Sequence, residues 1–143
     1  MASLPYLFAE ERQPEKDFLI IPKVSSENRM YIPIAYMGKD NIVSDKTFIV
    51  PDTSLFHFGI LTSKMHMTWM KNTCGRLESR FSYSNTIVYN NFPWPESPNK
   101  NQIKAIEKAA QKVLEVRNQF PNSSLADLYD PLSMPHDLVK AHL

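Results

Sequence analysis

The 143-residue sequence has a single cysteine, Cys74, and only three glycines. One thiol cannot close a disulfide within the chain or supply the multi-cysteine ligand set of a usual structural zinc site, so a reducing cytoplasm is the default compartment. Gly38, Gly59 and Gly75 stand far apart. A loop that cradles a phosphate needs glycines clustered where backbone amides approach the anion, so nucleotide binding by this chain is not expected. No apolar run approaches the roughly 18 residues that span a bilayer, so no membrane partner is expected. The start, MASLPYLFAEERQPEKD, carries acidic residues and no basic n-region, which argues against export. Charge of one sign is lacking too: 16 Lys and Arg stand against 15 Asp and Glu, a net charge of +1. A small protein that wraps nucleic acid with its whole surface is strongly basic, so any such contact must be local.

The chain is 43% hydrophobic, enough for one ordinary core with an appendage. Short runs rich in Ile, Val, Phe and Tyr lie between Asp17 and Pro51: DFLIIPKV, MYIPIAYM and TFIVP read as strands. The stretch Ser25-Ser26-Glu27-Asn28-Arg29 reads as the loop joining the first two strands, and Gly38-Lys39-Asp40-Asn41 as a hairpin turn. Asp52, Thr53 and Ser54 then offer N-caps. Leu55, Phe58, Leu61, Met65 and Trp69 recur at helical spacing until Gly75 supplies a stop, predicting a long helix broken near Thr62-Ser63. Cys74 is expected as a small core residue. Strand character returns from Arg80 to Phe92.

Pro93, Pro95 and Pro98 cannot continue a ladder or a helix interior, which places a boundary near Glu96. Beyond it, Ser97-Pro98 reads as a cap with a first-turn proline. Ile103, Ile106, Ala110, Val113, Leu114 and Phe120 form one apolar stripe, opposite a solvated face of Lys104, Glu107, Lys108, Lys112 and Glu115. Shorter helices are expected over 124–129 and 135–143. The last stops in mid-pattern, so the tail is expected to continue past Leu143. The predicted fold is mixed α+β: a small, mostly antiparallel sheet with a long packed helix, then a helical C-terminal tail.

Catalytic readings fare badly. His57 and His66 fall on the middle helix, while His136 and His142 lie in the tail, a poor pattern for metal ligation. Pro51-Asp52 could open a metal-dependent nuclease site, but no acid-x-Lys pair follows to hold the metal and polarise water, so Asp52 is read as a cap. Asn90-Asn91-Phe92-Pro93-Trp94 lacks the adjacent prolines of an amino-methyltransferase signature and is read as a packing turn. Local basic character remains. Between Leu61 and Asn90, Lys64, Lys71, Arg76 and Arg80 outweigh Glu78 by a balance of +3, interleaved with His66, Asn72, Ser79, Ser82, Tyr83, Ser84 and Asn85. Duplex DNA asks for cations on phosphates and for Arg, Asn, Gln or Lys on base edges. A basic turn after a helix also offsets the helix dipole, so this composition alone decides nothing.

The order of residues is more telling. SSENRMYIP (25–33), LFHFGILTSKMHM (55–67), CGRL (74–77), YSNTIVYNNFPWP (83–95), LADLYDP (125–131) and Met134-Pro135 together resemble the C-terminal part of the MmeI-like type II (IIG/IIL) restriction-modification enzymes. The resemblance implies a DNA target-recognition domain over 1–95 and the start of the family's helical C-terminal segment over 96–143. It implies double-stranded DNA and the enzyme's own methyltransferase domain as partners. Adenine N6 methylation with S-adenosylmethionine, and Mg2+-dependent cleavage, would belong to domains outside this chain, which itself is expected to bind no cofactor and to catalyse nothing. The residues it offers to DNA are Ser26, Asn28 and Arg29 on the first loop, Ser63, Lys64 and His66 on the helix, and Arg76, Ser79, Arg80, Ser84 and Asn85 after it. Arg29, Arg76 and Arg80 lead this set. The competing expectation is a non-catalytic protein-interaction or structural module.

Overall fold

The structure is a computed structural model that describes residues 14–143; the expectation about the N-terminal start falls largely outside these residues. Two three-stranded antiparallel sheets form first. One has β1 (Phe18–Pro22) between β3 (Ala35–Met37) and β4 (Thr47–Val50); the other has β6 (Arg80–Ser82) between β2 (Val24–Ser25) and β5 (Gly75–Leu77). The single run DFLIIPKV thus feeds both sheets. Pro22 has no N–H to donate, and the ladder changes partner beside it. Lys23 donates its N–H to the Lys46 carbonyl at 3.0 Å and accepts from the Tyr83 N–H at 2.7 Å, which hinges one sheet onto the other. Gly38 to Asn41 does make a turn, with the Asn41 N–H 3.0 Å from the Gly38 carbonyl. It does not close a hairpin, because β3 and β4 each pair with β1 instead of with one another.

The middle helix breaks where its sequence suggested. Helix α1 (Leu55–Leu61) follows Ser54, whose backbone N–H donates to His57 Nδ1 at 3.2 Å, and α2 (Lys64–Thr73) follows Ser63, whose hydroxyl accepts from the His66 N–H. The Thr62 and Ser63 hydroxyls donate to the Phe58 and Ile60 carbonyls at 2.8 and 2.6 Å, satisfying the orphan end of α1. Ser54 therefore takes the cap role expected of Asp52, which sits instead in the left-handed region at φ 53°. Gly75 is no left-handed stop, because α2 ends through an extended Cys74 that is only half-buried. The break also resets the helical phase. His66, Met67 and Met70 are buried in α2, and Met65, expected in the stripe, is exposed. The strand expected from Arg80 to Phe92 stops at Ser82; Ser84 then caps a π-helical turn over Asn85–Tyr89.

After the prolines, α3 (Lys100–Asn118) starts from Asn99 and not from Ser97: Asn99 and Gln102 exchange side-chain and backbone hydrogen bonds, each 2.9 Å. Ala110, Val113 and Arg117 are its buried positions, and α3 lies against α1 and against α5 (His136–His142), to which the short α4 (Leu125–Leu128) leads in sequence. The core is continuous across the proline stretch: Leu19, Ile34, Phe58 and Leu61 share a cluster with Val113, Leu128, Tyr129 and Leu138. A polar chain runs through this seam. Arg117 donates from Nη1 to the Ile34 carbonyl at 2.8 Å and from Nε to the Tyr129 hydroxyl at 2.9 Å; His142 joins that hydroxyl, 2.7 Å from Nε2, to the Thr62 carbonyl, 3.0 Å from Nδ1. A carbonyl only accepts, so His142 is protonated on Nδ1, and its Nε2 accepts the Tyr129 proton.

Gly59 marks the closest approach of α1 and α3. A Cβ there would come within 2.7 Å of Ile106 Cγ2, 3.1 Å of the Ile106 carbonyl oxygen and 3.2 Å of Ala110 Cβ. Gly59→Ala is expected to lower stability by about 1–3 kcal/mol through overpacking, in spite of alanine's better helix propensity. Gly75→Ala, whose Cβ would meet only Ser82 Cβ at 4.0 Å, is expected to stay within about 0.5 kcal/mol. Urea denaturation of both variants checks the contrast, and equal effects would refute the close-crossing argument.

Candidate nucleic-acid interface

Strands β5 and β6 make a short hairpin whose tip stands in solvent. Leu77 and Arg80 are the closing pair, and Glu78 and Ser79 form the turn. Glu78 takes a left-handed backbone at φ 58°, an unusual conformation for a residue with a side chain. Every residue from Gly75 to Arg80 is exposed, while Phe81 is buried. The register puts Arg76 opposite Phe81 on one face of the ribbon and Arg80 opposite Leu77 on the other. The Arg76 guanidinium lies 4.3 Å from the Phe81 ring centroid, and Lys71 Nζ from α2 lies 5.8 Å from it. Phe81 thus holds two cations by their attraction to its π face. Arg76 also donates to the Ser79 carbonyl at 3.1 Å, and Arg80 pairs with Glu78 at 3.3 Å in a solvated contact.

The first loop meets this hairpin. Ser79 Oγ donates to Glu27 Oε1 at 2.9 Å. Backbone and Ser79 hydrogen bonds, helped by the nearby Arg76 and Arg80 charges, hold the Glu27 carboxyl below its usual range. The loop closes on itself through Ser26, whose carbonyl accepts from the Arg29 N–H and whose hydroxyl accepts from the Asn28 N–H. Asn28 projects into solvent. A groove of about 160 Å³ beside it is lined by Met30, Tyr31, Lys64, Met67, Thr68 and Lys71, which places Lys64 and Lys71 along one edge of the same surface.

The residues singled out from sequence therefore part into groups. Ser26, Asn28, Arg76, Ser79 and Arg80 lie on the loop and the hairpin that it contacts, with Lys64 across the groove. Ser84 and Asn85 belong to the π turn; Ser84 caps it, and Asn85 lines a cavity of about 280 Å³ against Phe48, Val50, Tyr83 and Tyr89. Ser63 is occupied in the cap between α1 and α2. Arg29 turns away, donating to carbonyls of the C-terminal segment. His66 is corrected outright. It has no accessible surface, its Nε2 lies 2.9 Å from the Tyr83 hydroxyl, and its ring packs edge-on to Phe92, so it cannot touch DNA in this fold. Phe92 and Trp94 pack edge to face, and Trp69 and Trp94 donate their indole N–H groups to the Val88 and Tyr89 carbonyls, in keeping with a structural role for FPWP. Glu27, Glu78 and Lys71, named in the first loop and the basic stretch but not among the residues offered to DNA, also stand at the site; Glu78 at the centre of that short basic stretch was the visible signal.

A small mixed α+β domain with an exposed cation-bearing hairpin and a helical segment folded onto its core is the class that these features define. The chain belongs to the MmeI family: residues 1–96 match the MmeI target recognition domain and residues 98–143 the MmeI C-terminal domain. It is 38% identical over 142 residues to DNA methyltransferase A of Bacillus subtilis (strain 168), an alignment covering 99% of this chain and 16% of that protein. It also resembles the type IIL restriction-modification enzyme MmeI, whose structure was solved in complex with DNA. That likeness has a TM-score of 0.87 and 52% identity, and covers 91% of this chain and 17% of that one. The chain thus spans about a sixth of the length of these relatives. Among the described residues no helix is long and apolar enough to cross a membrane.

Burial pushes His66 down to about 4, and burial with the nearby Arg117 charge does the same to His142. Unfolded, both return to about 6.5, so between pH 6.5 and 4 the unfolded chain binds protons that the folded chain refuses. Stability is expected to be full above pH 6.5 and to fall as pH drops towards 4, by up to about 3 kcal/mol for each histidine. The urea midpoint at pH 7 and pH 4.5 measures this; an unchanged midpoint would overturn the buried neutral assignment.

Proposed function

We propose that this chain reads a specific double-stranded DNA sequence on behalf of a larger restriction-modification enzyme, whose other domains methylate adenine at N6 and cleave DNA. The observation that carries this reading is the exposed β5–β6 hairpin, with Arg76 fixed on Phe81, Arg80 on its other face and its tip tied to loop 26–29, in a chain of a target-recognition family. A two-stranded ribbon fits the major groove, where each base pair presents a distinct pattern of donors and acceptors. Arg76 and Arg80 offer paired donors for guanine, and Asn28 and Asn85 a donor and an acceptor for adenine. Ser26, Ser79 and Ser84 supply single hydroxyls. Lys64 and Lys71, on one face of α2, hold phosphates and set register without reading sequence.

S-adenosylmethionine and Mg2+ would be held elsewhere in such an enzyme. The residues here do not suit them: among the described residues no cluster of three His, Cys, Asp or Glu side chains could hold a metal, and the three glycines are dispersed. No step at this site runs through either group. What the chain contributes is orientation, so that a target adenine can be flipped out of the stack into a catalytic pocket.

In the enzyme that carries this chain, Arg76→Ala and Arg80→Ala are each expected to weaken binding to the preferred duplex by about 1–3 kcal/mol while a scrambled duplex loses much less. Lys64→Ala and Lys71→Ala should weaken both duplexes equally and lower the slope of log K against log salt by about 0.9 each. Fluorescence anisotropy across a salt series separates the two. Equal losses on both duplexes for the arginine variants, or none, would remove direct readout by the hairpin.

A further inference from the structure

The backbone leaving loop 26–29 is fastened to the C-terminal helices at three successive points. Arg29 donates from Nε to the Tyr129 carbonyl at 3.2 Å and from Nη2 towards the Ala126 carbonyl at 3.5 Å. These carbonyls sit at the end of α4, where a helix leaves its acceptors unpaired. Two residues on, the Tyr31 ring stacks on His142, with centroids 4.2 Å apart and planes 17° from parallel. Three residues further, the Ile34 carbonyl accepts from Arg117 Nη1. At the loop's other side, Glu27 accepts from Ser79 at the hairpin tip. The loop is therefore suspended between the hairpin and the 98–143 segment, which supplies the tethers at Arg29, Tyr31 and Ile34, while the Ile32 N–H between them is held by Met67 Sδ of α2 at 3.3 Å.

We propose that Arg29 is a positioning residue, a strut between the recognition loop and the C-terminal segment, and that this segment sets the place of the loop on DNA. The inference rests on the reading that loop 26–29 contacts DNA. The Nε–Nη2 edge of the guanidinium, one of the two forks that could grip a guanine, is directed at carbonyls of its own chain. Base readout needs side chains held to within roughly half an ångström. A loop released from α4 keeps its donors and acceptors and loses their aim. Releasing it should blur every base pair that the loop reads, while phosphate contacts made by α2 remain.

The test uses the enzyme that carries this chain and a pool of duplexes with a randomised core, sequenced before and after binding, together with a salt series and a thermal melt. With Arg29→Ala the preferred-to-random binding ratio is expected to fall about ten-fold, spread over adjacent positions, with the salt slope unchanged. Arg29→Lys, which restores one donor to the α4 carbonyls, should recover much of the ratio. Arg29→Met keeps the apolar stem and gives the same reading should the alanine variant unfold. A salt slope lower by about 0.9 would make Arg29 a phosphate contact. Loss confined to one base pair with no rescue by lysine would make it a base reader. Either result, or an unchanged ratio, overturns the strut. Absence of any sequence preference in the unaltered enzyme would instead defeat the DNA reading itself, and the strut with it.

Discussion

A buried guanidinium dictates how this molecule closes. Arg117 is 8% exposed, and a cation so enclosed survives only where its donors are met and its charge is shielded. The Ile34 carbonyl and the Tyr129 hydroxyl take the hydrogen bonds, and the rings of Phe58 and Tyr129 lie 5.2 and 4.9 Å from its carbon. Tyr129 can accept from the arginine because it passes its own proton to His142, and His142 passes its own to the Thr62 carbonyl. That last carbonyl lies in the break between α1 and α2. One charge therefore ties the sheet segment, the middle helices and all three C-terminal helices into a single arrangement. Losing any member strands a buried polar group, at a cost of about 1–3 kcal/mol for each one left unpaired.

A nearly neutral chain still presents a local cluster of cations away from this seam. Arg117 is hidden and used for closure, so its charge belongs to the seam and not to the surface. At the hairpin, Arg76 and Lys71 are held on Phe81, which is itself buried and fixed by strand pairing to β2 and β5. Positive charge already clustered in this stretch of sequence is fixed in place by packing. The proposed contact surface accordingly inherits its rigidity from the core, which is where the precision of a site must originate.

Much of the element layout was legible because it depends on neighbours in sequence. The Thr62-Ser63 break, the strand TFIVP and the helix after the prolines follow from caps, β-branched runs and periodicity, which are local quantities. The failures share a different cause. Met65 continued the stripe of Leu55, Phe58 and Leu61 on paper, but the extended Ser63 restarts the helix at a new rotation, which leaves Met65 exposed and turns His66 inwards, while Trp69 still packs against the core. Phe81-Ser82-Tyr83-Ser84 alternates like a strand, yet the Ser84 hydroxyl captures the Ile87 N–H and winds the chain into a π turn. Arg117 passed unnoticed although it falls four residues after Val113 on the apolar stripe; its partners lie 12 and 83 residues away. Arg29 looked like a surface reader for the same reason, since its acceptors are about a hundred residues distant. The order of residues resembling a known family supplied what local reasoning could not.

These two kinds of arginine set what can change. Arg80 and Asn28 project from the hairpin and loop and carry no part of the core, so substitutions there alter the presented donors and acceptors at little cost to the fold, within about 0.5 kcal/mol for an ordinary surface site. Arg117 has no such freedom, and Arg29 has less, because each is committed to carbonyls of the chain itself. On the proposed reading, a scaffold that meets new base sequences varies the first set while keeping the second. Asn28 and Arg29 show the separation within one short loop: the first leaves outward to solvent, the second back across the seam to the C-terminal helices.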